Sequence, residues 1–382
     1  MMRFAVDLIG SATRLLARIY FARIYFVKIC RQAVRGCLIM IATATKMSFC
    51  VRHLMIIAFM GLAGIIGLAL LSPSASAEDA NFSSWMKSFR VEAMEKGISQ
   101  ETLDRALGSI APLPRVIELD RSQPEFKLTF EEYLSKVVSP TRKRIAAQKL
   151  AEHDELLTKI SQKYGVQKRY LVTFWGVETS FGKYLGSFNV PQSLATLAFD
   201  GRRSDYFRGE LLNALTILEQ GHIAPEDMKG SWAGAMGQSQ FMPSSFLNYA
   251  VDWDGDGRRD IWASKADVFA SSANYLAKAG WRDDITWGRE VKLPSGLQVK
   301  GKNAMALADA KTQMQLAEWA SAGVRSVDGS ALPTRALQAR LVMPSGDEGR
   351  AFLVYSNFDS ILRWNRSNYY ALAIGLLSDT LR

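Results

Sequence analysis

The chain has 382 residues, which is enough for a sizeable hydrophobic core and for more than one domain. Its formal net charge of +10 is concentrated at the start, because residues 1–77 hold nine Lys/Arg and one acid, and the remainder holds 38 basic and 36 acidic residues. This balanced remainder excludes nucleic-acid binding, which requires a concentrated basic stripe. Cys30, Cys37 and Cys50 all precede residue 77, so we expect no disulfide, thiol nucleophile or Cys-ligated zinc after it.

An export signal is predicted to end at Ala77. Residues 54–71 form an uncharged apolar run, Arg52 precedes it, and Ala75-Ser76-Ala77 has the small-x-small pattern of a cleavage site. We therefore expect a periplasmic protein that is secreted through a cleaved signal peptide. Because the run is also long enough to span a bilayer, an inner-membrane anchor formed by residues 54–71 is the alternative. Met47 is an alternative start of the chain.

Hydrophobic periodicity after the leader predicts an α+β protein that is mainly α, with a small β-containing insertion. Helical spacing occurs in 79–110, 130–164, 166–281 and 361–381. Pro112, Pro114 and Pro124 predict a linker after the first of these stretches. Short β-like pieces occur at 290–293, 297–299, 339–343 and 351–355, around one helix at 312–320.

These changes of pattern predict five segments. They are the leader 1–77, an N-terminal helical subdomain 78–150, a core 151–286, the β-containing insertion 287–356 and a C-terminal helix 357–382 that returns to the core.

One acid falls on a predicted apolar helix face. Leu171, Phe174, Trp175 and Glu178 follow one another at i, i+3, i+4 and i+7, and Gly182 is expected to end the helix. Burial disfavours the ionised carboxylate, so the pKa of Glu178 should rise and suit a general acid near neutral pH. The alternative is a buried structural Glu that is paired with an Arg.

The surrounding sequence favours the catalytic interpretation. After residue 77 only His153 and His222 remain, without metal-type spacing or a G-x-S-x-G elbow, so carboxylate chemistry is favoured. Ordinary glycosidases use two carboxylates, but no acid lies between Glu178 and Asp200. A single acid suggests that the substrate supplies the second group.

Three motifs resemble the lytic murein transglycosylase B family. They are Trp175-Gly-Val-Glu-Thr-Ser-Phe-Gly182, the stretch from Ser231 to Ser245, and Asn365-Arg-Ser-Asn-Tyr-Tyr370. The resemblance implies a lysozyme-like core and cleavage of the β-1,4 bond between N-acetylmuramic acid and N-acetylglucosamine, with a 1,6-anhydromuramic end as product. It implies Glu178 as the catalytic acid and then base, with no cofactor for catalysis.

The resemblance also implies a set of substrate-binding residues. They are Tyr133, Arg202, Arg203, Ser231, Gln240, Tyr275, Trp364, Asn365 and Tyr370. Trp364 stands where the family pattern has a tyrosine, so a hydroxyl role is expected to be lost there while ring stacking survives. For the aromatic residues the alternative is plain core packing, and for the arginines a solvated pair.

An acidic loop resembles the first half of an EF-hand. Asp252, Asp254 and Asp256 occupy positions 1, 3 and 5, Gly257 occupies position 6 and the Arg258 carbonyl position 7. Ala263 replaces the usual Glu at position 12. The family resemblance includes a lengthened calcium loop, so Asp267 is expected to close it around a structural calcium. The alternative is a turn without metal.

The sequence therefore predicts an exported enzyme that acts on peptidoglycan glycan strands. A hydrolytic muramidase and a non-catalytic peptidoglycan-binding scaffold are the alternatives. We expect a monomer, and proteins of cell-wall synthesis or division are candidate partners that the sequence does not identify.

Overall fold

The computed structural model describes residues 74–122, 128–295, 313–346 and 349–381. The chain divides into two compact units, 1–78 and 79–382, and only residues 74–78 of the first unit are described. The apolar run 54–71 of the predicted export signal, Pro124 and the β-like piece 297–299 therefore lie outside the described residues, whereas the predicted cleavage site Ala75-Ser76-Ala77 lies in the first described helix, Ser74–Glu95. Within that part of the chain, no helix is both long and apolar enough to cross a membrane.

The described residues form fourteen helices and seven short strands, in agreement with the predicted mainly α, α+β class. The helices are α1 (Ser74–Glu95), α2 (Gln100–Leu107), α3 (Pro114–Ser122), α4 (Phe130–Val137), α5 (Pro140–Glu152), α6 (Asp154–Tyr164), α7 (Lys168–Thr179), α8 (Val190–Asp200), α9 (Ser204–Glu219), α10 (Pro243–Tyr249), α11 (Lys265–Lys278), α12 (Leu316–Ser321), α13 (Ser356–Trp364) and α14 (Asn368–Asp379). The strands are β1 (Phe188–Asn189), β2 (Lys229–Gly230), β3 (Gly288–Lys292), β4 (Met314–Gln315), β5 (Arg325–Ser326), β6 (Gln338–Val342) and β7 (Ala351–Val354).

Local sequence explains where several helices begin. Ser99 and Thr129 cap α2 and α4 through their side-chain oxygens, and Glu132 completes a capping box at α4. The predicted linker around Pro114 is wrong, because α3 begins at this residue. Proline lacks a backbone N–H, but the first turn of a helix does not need that donor.

A five-stranded antiparallel sheet, in the order β4-β6-β7-β3-β5, forms the β-containing part. Successive side chains of β7 point to opposite faces of this sheet. Phe352 and Val354 pack in the main helical core, whereas Leu353 packs in a second cluster with Leu316 and Trp319 of α12. Both faces are covered, which explains why every residue of β7 is buried.

Helix α7 lies at the centre of the helical core. It packs against α5, α6, α11 and α14, and eight of its twelve residues are buried. The sequence predicted one apolar face, but a helix with neighbours on several sides must be apolar almost all round. The unburied positions of α7 lie at its two ends, Lys168 and Arg169 at the start and Val177 and Glu178 at the finish.

Candidate functional site

Glu178 is the second-last residue of α7. Leu171, Phe174 and Trp175, which share its predicted face, are at most 3% exposed, whereas Glu178 is half-buried. The carboxyl group therefore sits at the edge of a closely packed apolar core, next to the end of its helix. This is the environment that the sequence predicts for a proton-holding acid.

The chain turns away from α7 through three left-handed residues. The helix ends at Thr179, three residues before the predicted Gly182, and Ser180, Phe181 and Gly182 have φ angles of 49°, 64° and 80°. The Thr179 hydroxyl accepts a hydrogen bond from the Gly182 N–H at 3.0 Å. Left-handed backbone is unfavourable for Ser and Phe, so these contacts hold the turn in one conformation.

Two side chains from the C-terminal part of the chain donate to the same oxygen of Glu178. The indole Nε1–H of Trp364 donates to Oε1 at 2.9 Å. The hydroxyl of Tyr370, which is 5% exposed, also donates to Oε1. A proton on the carboxyl group therefore belongs on Oε2, the oxygen that accepts neither of these bonds.

Burial raises the pKa of Glu178 from 4.5 to about 7, because the ionised form loses its hydration. The hydrogen bonds from Tyr370 and Trp364 act in the opposite direction, since they favour the carboxylate. The pKa of Tyr370 is raised well above its ordinary value by burial and by the adjacent Glu178, so the phenol stays protonated and remains a donor. Glu178 can thus hold a proton near neutral pH and still be stabilised after releasing it.

Trp364 is held in place by a cage of aromatic rings. Its centroid lies 4.6 Å from that of Phe174, 5.2 Å from Phe241 and 4.8 Å from Tyr275. We expected that a tryptophan here would lose the polar role of a tyrosine hydroxyl and keep only stacking. That expectation was incomplete, because the indole N–H supplies a hydrogen bond to Glu178.

The turn between α13 and α14 places both donors at the carboxyl group. Asn365 is exposed, and its Oδ1 accepts from the Ser367 N–H at 3.0 Å. The Ser367 hydroxyl in turn caps α14 by accepting from the Tyr370 N–H at 3.3 Å. Asn365 therefore shapes the turn that carries Trp364 and Tyr370.

The two other predicted tyrosines lie close to this cluster. Burial raises the pKa of Tyr275 to about 12, and its hydroxyl donates at 2.7 Å to the carbonyl of Arg363, directly before Trp364. Tyr133, on α4, packs with its centroid 5.8 Å from that of Tyr369. Tyr275 thus contacts the residue that binds Glu178, whereas Tyr133 lies beside the start of α14.

Ser231 and Gln240 belong to a tight turn that faces the end of α7. The Ser231 hydroxyl accepts from the Ala235 N–H at 3.0 Å, and the Gln240 amide donates to the carbonyls of Leu185 and Gly237. Gln240 has a positive φ of 48°. Both side chains therefore also stabilise the backbone, beyond the sugar contacts predicted for them.

Gln238 was missed by the sequence analysis, although it joins three parts of the site. Its Oε1 accepts from the Trp175 indole at 2.8 Å, its Nε2 donates to the Trp262 carbonyl at 2.6 Å, and the Thr179 hydroxyl lies 3.1 Å from its own carbonyl oxygen. A glutamine that is 3% exposed is unusual. Its position inside the second motif was the available signal.

Arg202 and Arg203 do not join the Glu178 cluster. Both bind Asp120, which is 1% exposed, and the Arg202 Nε donates to its Oδ2 at 2.7 Å. Asp120 lies on α3, so the predicted arginine pair fixes this helix to the turn between α8 and α9. Two guanidinium groups share one carboxylate, which leaves one positive charge available to an anion.

Three acids of the predicted metal loop lie together. One oxygen from each of Asp252, Asp254 and Asp256 lies within 4.8 Å of the others. Asp267 is fully buried and has another role, because its two oxygens accept from the N–H groups of Trp253 at 2.8 Å and Asp260 at 2.7 Å. The donor set therefore fits a calcium ion through the first three acids, and Asp267 organises the loop around them.

Comparison with known proteins extends this description. A family model described as the transglycosylase SLT domain matches residues 81–379. The membrane-bound lytic murein transglycosylase B of Escherichia coli K12 is 33% identical over 251 residues, which are 65% of this chain and 66% of that protein, just under two thirds of its length.

Two solved structures are similar in sequence and in fold. SltB3 from Pseudomonas aeruginosa, in complex with NAG-anhNAM-pentapeptide, is 44% identical with a TM-score of 0.74, over 78% of this chain and 79% of that one. The E. coli lytic transglycosylase Slt35, in complex with calcium, is 28% identical with a TM-score of 0.66, over 80% of this chain and 93% of that one.

Proposed function

Because the chain belongs to the transglycosylase SLT domain family, we propose that it cleaves the β-1,4 bond between N-acetylmuramic acid and N-acetylglucosamine in peptidoglycan strands. The proposed product is a 1,6-anhydromuramic end. The observation that carries the proposal is Glu178, a half-buried acid whose pKa is raised to about 7 and whose Oε1 is held by two donors. The complex of the relative SltB3 with an anhydromuramic product supports the same reaction.

In the first step Glu178 acts as a general acid. Its Oε2 proton passes to the bridging oxygen of N-acetylglucosamine as the bond from that oxygen to C1 of the muramic residue breaks. The carbonyl oxygen of the muramic N-acetyl group bonds to C1 and takes the place of a second carboxylate. The Tyr370 and Trp364 donors stabilise the carboxylate that Glu178 becomes.

In the second step the Glu178 carboxylate acts as a base. It takes the proton of the C6 hydroxyl while O6 bonds to C1 and the N-acetyl oxygen leaves. Glu178 is protonated again, the N-acetyl group is restored, and no water is consumed. One acid suffices for the cycle because each step leaves it in the form that the next step needs.

Two acids of the helical core that follow Glu178 in the sequence have partners of their own. Asp200, the first acid after Glu178 in the sequence, pairs with Arg121 at 2.8 Å. The buried Glu210 accepts from the Ser244 N–H at 2.8 Å and from the Ser244 hydroxyl at 2.6 Å at the start of α10. A two-carboxylate hydrolase would need a second acid opposite Glu178, and the bonds of Asp200 and Glu210 to other residues support the proposal that neither of them serves as that acid.

Mass spectrometry of the fragments released from purified sacculi tests the proposed reaction. The proposal predicts muropeptides with anhydro ends, each lighter by one water than the corresponding reducing end. Reducing ends would identify a hydrolytic muramidase. Strand binding without release would identify a non-catalytic scaffold.

We propose two further properties of the protein in addition to the enzyme activity, a structural calcium and export to the periplasm. A structural calcium would be held by Asp252, Asp254, Asp256 and the Arg258 carbonyl, and it would supply rigidity to the loop. Export to the periplasm through residues 54–71 follows from the sequence pattern, and an inner-membrane anchor is its alternative. A monomeric state and the absence of a catalytic cofactor stay predictions.

A further inference from the structure

One aromatic side chain near Glu178 has no role in the reaction described above. Tyr184 is 63% exposed, the largest value among the large hydrophobic side chains that the structure describes as exposed. A single exposed aromatic ring needs no functional explanation by itself. The backbone that carries this ring and its place in the fold do point to a function.

The loop that carries Tyr184 is held on both sides. The Tyr184 N–H donates to the Thr179 carbonyl at 2.9 Å, which ties the loop to the end of α7. The Leu185 carbonyl accepts from the Gln240 side chain at 3.1 Å. Together with the left-handed turn at Ser180 and Phe181, these contacts fix the backbone beneath an exposed ring.

The loop lies between Glu178 and the turn that contains Ser231 and Gln240. Gly186 packs so closely on that turn that a Cβ atom there would lie 2.0 Å from the Gly230 carbonyl oxygen and 2.7 Å from the Ser231 nitrogen. Tyr184 is thus two residues before Gly186, which packs against Ser231, and its N–H is hydrogen-bonded to Thr179, the residue after Glu178. It lies on the rim of the candidate site.

The two faces of the ring are not equivalent. The Nζ of Lys183 lies 5.3 Å from the Tyr184 centroid, which places a cation over one face. Pyranose rings have an apolar face of C–H groups, and ligand sites commonly receive such faces on aromatic side chains. A flat ring on a fixed loop offers a sugar a contact with little loss of conformational freedom.

We propose that Tyr184 is a glycan-binding residue, which stacks on a sugar of the strand outside the two sugars that flank the cleaved bond. The inference rests on the proposed function, since it assigns a further subsite to the same substrate. Contact with a sugar remote from the reaction stabilises the bound strand equally before and during the reaction. Its loss should therefore raise KM and leave kcat unchanged.

Steady-state kinetics on purified glycan strands tests the proposal. Tyr184→Ala should raise KM about tenfold with kcat within about twofold of wild type, and Tyr184→Phe should retain the wild-type KM because the ring remains. Tyr206→Ala, which removes another exposed ring (49% exposed), is the matched control and should leave both constants unchanged. An unchanged KM in Tyr184→Ala, or a fall in kcat alone, would overturn the proposal.

A binding measurement separates this inference from the proposed function. The Glu178→Gln protein should bind intact strands. Adding Tyr184→Ala should raise the Kd about tenfold, by the same factor as the predicted rise in KM. If the wild-type protein releases no anhydro fragments but this binding difference is found, the proposed reaction fails and the subsite stands. If release is normal but the binding difference is missing, the subsite fails and the reaction stands.

Discussion

The hydroxyl of Tyr370 donates to Oε1 of Glu178 across 192 residues of sequence. The Trp364 indole donates to the same oxygen, so one turn near the C-terminus supplies both partners of the central acid. Burial and hydrogen bonding therefore act on Glu178 in opposite directions: the first keeps its proton at neutral pH and the second stabilises the carboxylate that forms.

Tyr370→Phe should move the alkaline limb of the pH–rate profile to higher pH. The Tyr370 hydrogen bond lowers the pKa of Glu178, so its removal raises that pKa above about 7. A general acid is active below its pKa, and kcat/KM is lost as the pH rises through it. We also expect kcat to fall by about ten- to a hundredfold, because the carboxylate loses a charge-assisted hydrogen bond of about 1.5–3 kcal/mol.

The prediction for Tyr370→Phe is checked by measuring the rate of fragment release from sacculi at a series of pH values from acid to alkaline. The Tyr369→Phe variant, at the neighbouring position of α14, is the control and should keep the wild-type profile. A limb that stays in place or moves to lower pH in Tyr370→Phe contradicts the assigned role.

Tyr275→Phe should lower kcat several-fold with little change in KM. The hydroxyl donates to the Arg363 carbonyl, so its loss loosens Trp364 rather than a substrate contact. One neutral hydrogen bond of this kind contributes about 1 kcal/mol to the free energy of unfolding. Kinetics and urea unfolding check both effects, and a selective rise in KM would instead identify Tyr275 as a substrate-binding residue.

Glu178→Gln should stabilise the protein at alkaline pH. The folded-state pKa of Glu178 is raised from 4.5 to about 7, so folding favours the protonated form, and wild-type stability falls as the pH rises between these values. The penalty above pH 7 is about 3 kcal/mol, and the neutral amide does not incur it. Urea unfolding at pH 5 and pH 8 should show a stability gain for the variant that is larger at pH 8. A gain that is the same at both pH values would contradict the raised pKa.

Removal of calcium should lower the melting temperature by about 5 °C, since an ion that binds only the folded state adds roughly 1–3 kcal/mol to its stability. The test compares melting curves with excess calcium and with a chelator. Asp254→Asn should reduce the difference, because Asp254 is one of the three clustered acids. Identical curves for the wild-type protein in both conditions would rule out a stabilising ion in this loop.

The sequence predicted the local features of the site well. The apolar periodicity of Leu171, Phe174 and Trp175 located Glu178 at the edge of the core, and all three are buried. The three strands predicted at 290–293, 339–343 and 351–355 correspond to β3, β6 and β7 within two residues. These features depend on side-chain spacing and turn residues, which neighbouring positions determine.

Long-range pairings could not be read from the sequence. Nothing in the spacing of Trp364 and Tyr370 indicates that both donate to one oxygen of Glu178, or that Asp120 binds Arg202 and Arg203. Such contacts depend on how helices pack, and a one-dimensional pattern does not contain that information. The sequence analysis predicted the end of α7 at Gly182, three residues too late, for a related reason. The Thr179 hydroxyl bonds to the Gln238 carbonyl and the Gly182 N–H, and these contacts stabilise the unfavourable left-handed backbone at Ser180.

The most direct measurement is the release of soluble muropeptides from purified sacculi by Glu178→Gln beside the wild-type protein. Glu155→Gln, which replaces an exposed glutamate on α6, is the matched control. We predict that Glu178→Gln releases muropeptides at least about a thousandfold more slowly than the wild-type protein while it still binds strands, since the amide cannot donate or accept the proton. Wild-type release by a folded Glu178→Gln protein would contradict the assignment of Glu178 as the catalytic acid and base.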